Sequence, residues 1–173
     1  MKTITCLALA GLGLALSGCA TVINGTEQNF AFDSDPQGAQ VTLSNGAGCE
    51  TPCSLELRRK YDLRADFKKD GYEPTYVLVQ SRTGGAMAGN ILLGGVIGGV
   101  VDASNGATNY LAPEPLAVRL AKLGSGEQAM LLGKDGAPVK AVNAHNDEVR
   151  EDVAETIGAQ AAGLTTTSAG GSQ

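Results

Sequence analysis

Residues 61–72, "YDLRADFKKDGY", set the fold class. Across residues 61–68 apolar and polar side chains alternate without a break. Successive side chains of an extended chain point to opposite faces, so this is the mark of a half-buried strand. The alternation predicts Tyr61, Leu63, Ala65 and Phe67 facing a core, with Asp62, Arg64, Asp66 and Lys68 facing water. Lys69-Asp70-Gly71 then turns the chain.

The same period recurs on both sides. Residues 29–33 place Phe30 and Phe32 together, residues 40–44 place Val41 and Leu43, and residues 54–57 place Leu55 and Leu57. Residues 72–80 read as the next strand, with Pro74 near its start, where a missing N–H is tolerated. Residues 116–121 align Leu116, Val118 and Leu120. Turn residues separate these runs: Asn24-Gly25, which follows a short apolar run at residues 20–23, and Asn45-Gly46-Ala47-Gly48. Short strands at this spacing predict an all-β sandwich.

Three of the turns carry a resemblance. Pro36-Gln37-Gly38-Ala39, Gly48 with Thr51-Pro52, and Lys69-Asp70-Gly71-Tyr72 resemble, in order, the motifs of the PEGA domain. Gln37 stands where that family usually has Glu, and Cys49-Glu50 adds one residue to the second motif. The resemblance implies a small β-sandwich of surface and periplasmic proteins that serves as a binding or spacer module. It brings no catalytic residues.

The N-terminus gives an address. Met1-Lys2-Thr3 precedes a run of 13 mostly apolar residues, 4–16. As a helix that run would be about 20 Å long, too short to stay in a bilayer and suited to an export signal. Leu16-Ser17-Gly18-Cys19 resembles the lipobox of bacterial lipoproteins, which implies cleavage after Gly18 and acylation of Cys19. Ala20, in place of Asp, implies sorting to the outer membrane, facing the periplasm. An ordinary cleaved signal, with Cys19 free to pair with another cysteine, is the alternative. Two or more acyl chains anchor a protein stably, at about 0.8 kcal/mol per buried CH2.

The chain has a net charge of −5, which becomes −6 once Lys2 leaves with residues 1–18. That balance excludes a nucleic-acid footprint. Arg58-Arg59-Lys60, with Lys68-Lys69, reads as a solvated turn or strand edge, or as a phosphate or lipid-headgroup patch. Of the four cysteines, Cys6 leaves with the leader and Cys19 is the lipidation site. Cys49 and Cys53 are then expected to pair in an oxidising compartment. No metal is expected, since the single histidine, His145, lies far from both.

Residues 84–106, "GGAMAGNILLGGVIGGVVDASNG", interrupt the sandwich as a Gly-rich helical insert. Gly85/Gly89, Gly94/Gly98 and Gly95/Gly99 are each four apart. On a helix such pairs make flat grooves for close packing. Glycine also costs a helix about 1 kcal/mol per residue, so the segment needs a partner surface. Packing on the domain, dipping into lipid and self-association all remain open.

All seven aromatic residues fall between Phe30 and Tyr110. The packed domain is therefore expected over residues 19–121. Residues 122–173 are expected to be a low-complexity, mostly disordered tail, irregular over residues 122–144. One helix is possible over 146–162, capped by Asn146 or Asp147, with Val149, Val153 and Ile157 on one face. That helix would be marginal alone or would wait for a partner.

With one histidine and no clustered carboxylates, no enzyme and no cofactor are expected. Asp33 and Asp35 are expected to shape a turn. The functional expectation is a non-enzymatic, lipid-anchored scaffold or binding module that touches an envelope protein or cell-wall ligand through exposed loops. A membrane-dipping or homo-oligomeric lipoprotein assembled through the insert is the alternative.

Overall fold

The computed structural model describes residues 25–83 and 108–164. Several expectations fall outside these. They are the leader, the lipidation site Cys19, the last residues of the tail, and the insert with its packing glycines Gly85, Gly89, Gly94, Gly95, Gly98 and Gly99. The described chain is mostly β, with two five-stranded sheets and one helix.

The strands are β1 (Glu27–Asp35), β2 (Gln40–Leu43), β3 (Gly48–Glu50), β4 (Cys53–Arg58), β5 (Leu63–Lys68), β6 (Thr75–Thr83), β7 (Asn109–Ala112), β8 (Leu116–Arg119), β9 (Met130–Leu132) and β10 (Pro138–Ala141). The helix, α1, spans Val142–Ile157. The first sheet runs β10-β9-β8-β1-β4 and the second β3-β2-β5-β6-β7. All pairings are antiparallel except β1 with β8, where Phe32 to Asp35 lie beside Leu116 to Arg119.

The sheets pack face to face in a sandwich-like arrangement. Phe30, Phe32, Leu57, Leu116 and Val118 from the first meet Val41, Ala65, Phe67, Val77 and Leu111 from the second in one buried cluster. Phe30 and Phe32 touch edge to face, their ring centres 5.1 Å apart. The alternation read from the sequence holds for Leu63, Ala65 and Phe67, all buried. It fails one step earlier. Tyr61 is 52% exposed, whereas Asp62 is 7% exposed. The strand begins only at Leu63, and residues 59–62 form a turn in which Asp62 is drawn inward by hydrogen-bond donors.

The expectation that packing ends near residue 121 is corrected. Residues 130–132 and 138–141 extend the first sheet, and Leu131 is buried. α1 covers the outer face of β6, where Leu78, Val149 and Val153 form a second small core flanked by Tyr76 and Ile157. Residues 122–173 have no aromatic side chain, but Leu131, Val149, Val153 and Ile157 pack, and Tyr76 of β6 supplies an aromatic from the other side of the helix contact. Val149, Val153 and Ile157 do share a face, but the helix starts a turn earlier than expected.

Neither Asn146 nor Asp147 caps it. The position before the first helical residue is Ala141, which makes no side-chain cap, and the Val142 N–H donates to Ala129 O at 2.9 Å. The helix thus grows directly out of β10. Its buried positions are Val142, His145, Asn146, Val149 and Val153, and this face includes two polar residues that a search for apolar periodicity passes over.

Those two polar residues finish the β6 edge. β7 pairs with β6 only from Thr83 back to Gln80. Beyond that, Asn146 Oδ1 accepts the Leu78 N–H at 2.9 Å, Asn146 Nδ2 donates to Tyr76 O at 2.8 Å, and His145 Nε2–H donates to Leu78 O at 2.9 Å. Side chains of α1 replace a neighbouring strand where β7 has turned away, so the buried backbone groups keep their partners.

Candidate binding groove and the two ends of the sandwich

Strand register sorts the turns to two ends. At the far end lie the three motif turns. Gly38 N–H donates to Thr51 O at 2.8 Å and Thr51 N–H to Ala39 O at 2.9 Å. The Thr51 hydroxyl, buried, accepts the Ala39 N–H at 2.9 Å and lies 2.6 Å from Ser34 Oγ. Lys69 Nζ reaches Gly38 O at 3.3 Å. Residues 36–39 are thus held by Thr51 on one side and by Lys69 on the other.

Cys49 and Cys53 are joined by a disulfide. Cys49 sits on β3 of the second sheet and Cys53 opens β4 of the first. The bond therefore closes the corner where the chain crosses between sheets. Asp33 Oδ1 accepts the Ser34 N–H at 2.8 Å, and Asp35 pairs with Arg119 at 3.2 Å. Both aspartates serve the backbone and β8.

At the near end, Glu27 opposes Arg58 and Thr83 opposes Asn109. The Arg59 N–H donates to Thr26 O at 3.0 Å, Ser81 Oγ donates to Arg59 O, and Asn109 Nδ2 donates to Ser81 Oγ at 2.8 Å. The first described residues, the 59–62 turn and both flanks of segment 84–107 are thereby stitched into one end of the sandwich.

A groove of about 570 Å³ opens beside this end, between the edge of β4 and the start of β5. Leu57, Leu63, Ile157 and Ala161 give it apolar walls, and Glu27, Glu56 and Asp62 bring carboxylates to it. Asp62 does not present free oxygens. It accepts the Ser81 N–H at 2.6 Å and the Thr156 hydroxyl, so it ties the turn to β6 and to the end of α1. Arg64 reinforces the same region. It forks onto Asp66, lies 3.8 Å from the Tyr76 ring centre and donates to Ala161 O at 3.1 Å.

The groove joins apolar walls to charges of both signs, with Glu27 and Glu56 on one side and Arg58 facing Glu27 at 3.9 Å. The sequence does not announce it: period two puts Tyr61 inward and Asp62 outward, the reverse of what the fold does, and nothing near Ile157 or Ala161 points to residues 57–63. Its far wall is brought in by a contact 94 residues apart in the chain, Thr156 to Asp62.

Burial pushes the His145 imidazole below the ordinary histidine value, and its hydrogen bond to Leu78 offsets this only in part. Among the described residues, no group of three His, Cys, Asp or Glu side chains is arranged to hold a metal. No helix among them is long and apolar enough to cross a membrane.

Compared with known proteins, the chain matches no family model, no curated protein and no solved structure.

Proposed function

We propose that this chain is a PEGA-type, non-enzymatic lipoprotein of the outer membrane. Cys19 is its acylated tether, and the sandwich is a periplasm-facing module that binds an envelope protein or a cell-wall component. The observation that carries the reading is the sorting of the turns to two ends. The chain enters the sandwich at Thr26, seven residues after Cys19, a reach of at most about 25 Å. A tether at Cys19 would hold that end near the headgroups and leave the motif turns facing away, with the groove on the flank beside the membrane-proximal end. An amine-bearing segment of the partner suits the Glu27 and Glu56 side of the groove.

Segment 84–107 leaves and re-enters at the same near end, from Thr83 to Thr108. This favours, as a second reading, an insert that dips into the tethering bilayer or joins copies side by side. Gly85/Gly89, Gly94/Gly98 and Gly95/Gly99 would then supply the close contacts. Packing of the insert on the sandwich itself is the competing arrangement.

Two measurements test these readings. Intact-mass analysis of the chain from envelope fractions should give acyl chains on Cys19, and a bare thiol removes the tether. Pull-downs with the lipidated protein should lose their partner on Glu27→Lys with Glu56→Lys and keep it on deletion of residues 85–103. The reverse result transfers binding to the insert.

A further inference from the structure

Beside the groove, at the point where the chain enters the sandwich, lies a second and smaller depression of about 260 Å³, lined by Thr26, Arg58, Lys60 and Tyr61. The chain as a whole is acidic, with a net charge of −5, yet this hollow gathers a guanidinium, an ammonium and two hydroxyls. The Arg58 side chain is 69% exposed and forms only a loose ion pair with Glu27, at 3.9 Å, with Glu56 on the adjoining groove, so its guanidinium keeps donors free for an anion. Arg59 contributes structure: its Nε donates to Glu27 O at 2.9 Å and fixes the turn that presents its neighbours. Asp62, the next acid along the chain, has both oxygens engaged with Ser81 and Thr156.

Exposed aromatics point to the same end. Tyr61 is 52% exposed and Tyr110 is 42% exposed, and Tyr110 stands opposite Arg82 in the β6–β7 pairing. Tyrosine is the side chain expected at a membrane–water boundary, with its ring among the headgroups and its hydroxyl in water. Cations beside a bilayer gain from an anionic leaflet, by about a fivefold change in partition per Lys or Arg.

We propose that Thr26, Arg58, Lys60 and Tyr61 form a headgroup-phosphate site that seats the near end of the sandwich on anionic phospholipid in the leaflet holding the anchor. The proposal rests on the lipoprotein reading. It adds a second, electrostatic attachment that orients the module, so that the tether alone does not leave it free to tumble.

The chain contains no Trp, so a single introduced indole is an unambiguous reporter. The mature lipidated protein is prepared with Tyr110→Trp at the near end, or with Leu123→Trp as the far-end control. Each is placed in phosphatidylcholine vesicles carrying a headgroup-depth quencher. One set of vesicles is purely zwitterionic, and in the other about a third of the lipid is phosphatidylglycerol, enough to make the surface anionic.

The expected result is quenching of the Tyr110→Trp reporter that arises with phosphatidylglycerol and is reversed by high salt. With Arg58→Glu and Lys60→Glu added, the docked-to-free ratio should fall by about 25-fold or more, about fivefold for each cation lost, with the Leu123→Trp reporter unquenched throughout. Quenching at the near end that ignores lipid charge, salt and both substitutions would mean that the insert or the tether alone sets the contact, and it overturns the proposal. So does thermal stabilisation by inorganic phosphate that the double substitution abolishes while quenching shows no dependence on phosphatidylglycerol, since that describes a soluble-anion site. If intact mass finds a bare thiol at Cys19, the tether reading fails on its own. The same protein added to the vesicles from solution then reads the depression separately, and loss of the phosphatidylglycerol dependence there sinks it too.

Discussion

Asn146 completes the backbone of β6 at Leu78: its carboxamide accepts the Leu78 N–H at 2.9 Å and donates to Tyr76 O at 2.8 Å. The residue is 1% exposed, so no water stands ready to replace it. Asn146→Leu keeps the branching of the side chain in a somewhat larger volume and leaves the Leu78 N–H and the Tyr76 carbonyl without their partner. The expected loss is about 2–6 kcal/mol, since each of the two orphaned groups costs about 1–3 kcal/mol. Urea denaturation checks it, and a loss below about 0.5 kcal/mol would show that the edge is rescued by other means.

His145 gives the fold a pH dependence. Its folded value is lowered, first by burial, from an ordinary 6.5. The unfolded chain therefore binds a proton that the folded chain refuses, and stability rises with pH across that interval. The His145 contribution is present in full above the ordinary value. It is lost as pH falls from there toward the lowered folded value, and it is level below that. His145→Gln can still donate to Leu78 O and carries no titration. Thermal melts from about pH 7.5 down to about pH 5 should show a step in the wild type that is smaller in the variant. An unchanged step assigns the dependence to other groups.

Val153 of α1 is fully buried in the small core with Leu78 and Val149. Val153→Ala should cost about 2 kcal/mol from lost burial and the cavity left behind. This loss would not occur if residues after 121 were a passive tail, so a silent substitution would contradict the packing of the helix.

Removing the bond between Cys49 and Cys53 by Cys49→Ser with Cys53→Ser should lower stability by about 2 kcal/mol, the amount the chain-entropy relation gives for so short a loop. Reduction of the native protein should match it. Because β3 and β4 are in different sheets, hydrogen exchange should rise first at the 49–53 corner.

Gly163 closes the chain onto the helix at φ +80, and a Cβ there would collide with Tyr76 Oη and Arg150 Nη1. Gly163→Ala should loosen residues 159–164 and weaken the Arg150 bond to Ala162 O. Exchange protection of the Ala162 and Leu164 amides reports it directly.

The strands that carry large side chains on one face were legible in the sequence. Phe30 with Phe32, Val41 with Leu43, and Leu63 with Ala65 and Phe67 each declare a face by period two. β3, β7, β9 and β10 were not, because three or four residues of small or mixed type hold too few alternations to register. The helix was half legible. Val149, Val153 and Ile157 showed their spacing, but its first turn hid behind an uncapped Ala141 and two buried polar residues. The groove was illegible for a different reason. Whether Asp62 faces in or out is decided by Ser81 and Thr156, and nothing near residue 62 announces either one.

The parallel contact of β1 with β8 sets an order of assembly. Asp35 and Arg119 are 84 residues apart in the chain. As the chain is made, β1 has β4 as an early companion but keeps its other edge bare until residue 116 arrives. The first sheet is finished only when β9 and β10 follow. Closure of so distant a pair is slow, and the half-built sheet offers an open edge to any neighbouring chain meanwhile. The last third of the polypeptide thus acts as a latch, and a chain that stops short of it is left as an adhesive fragment.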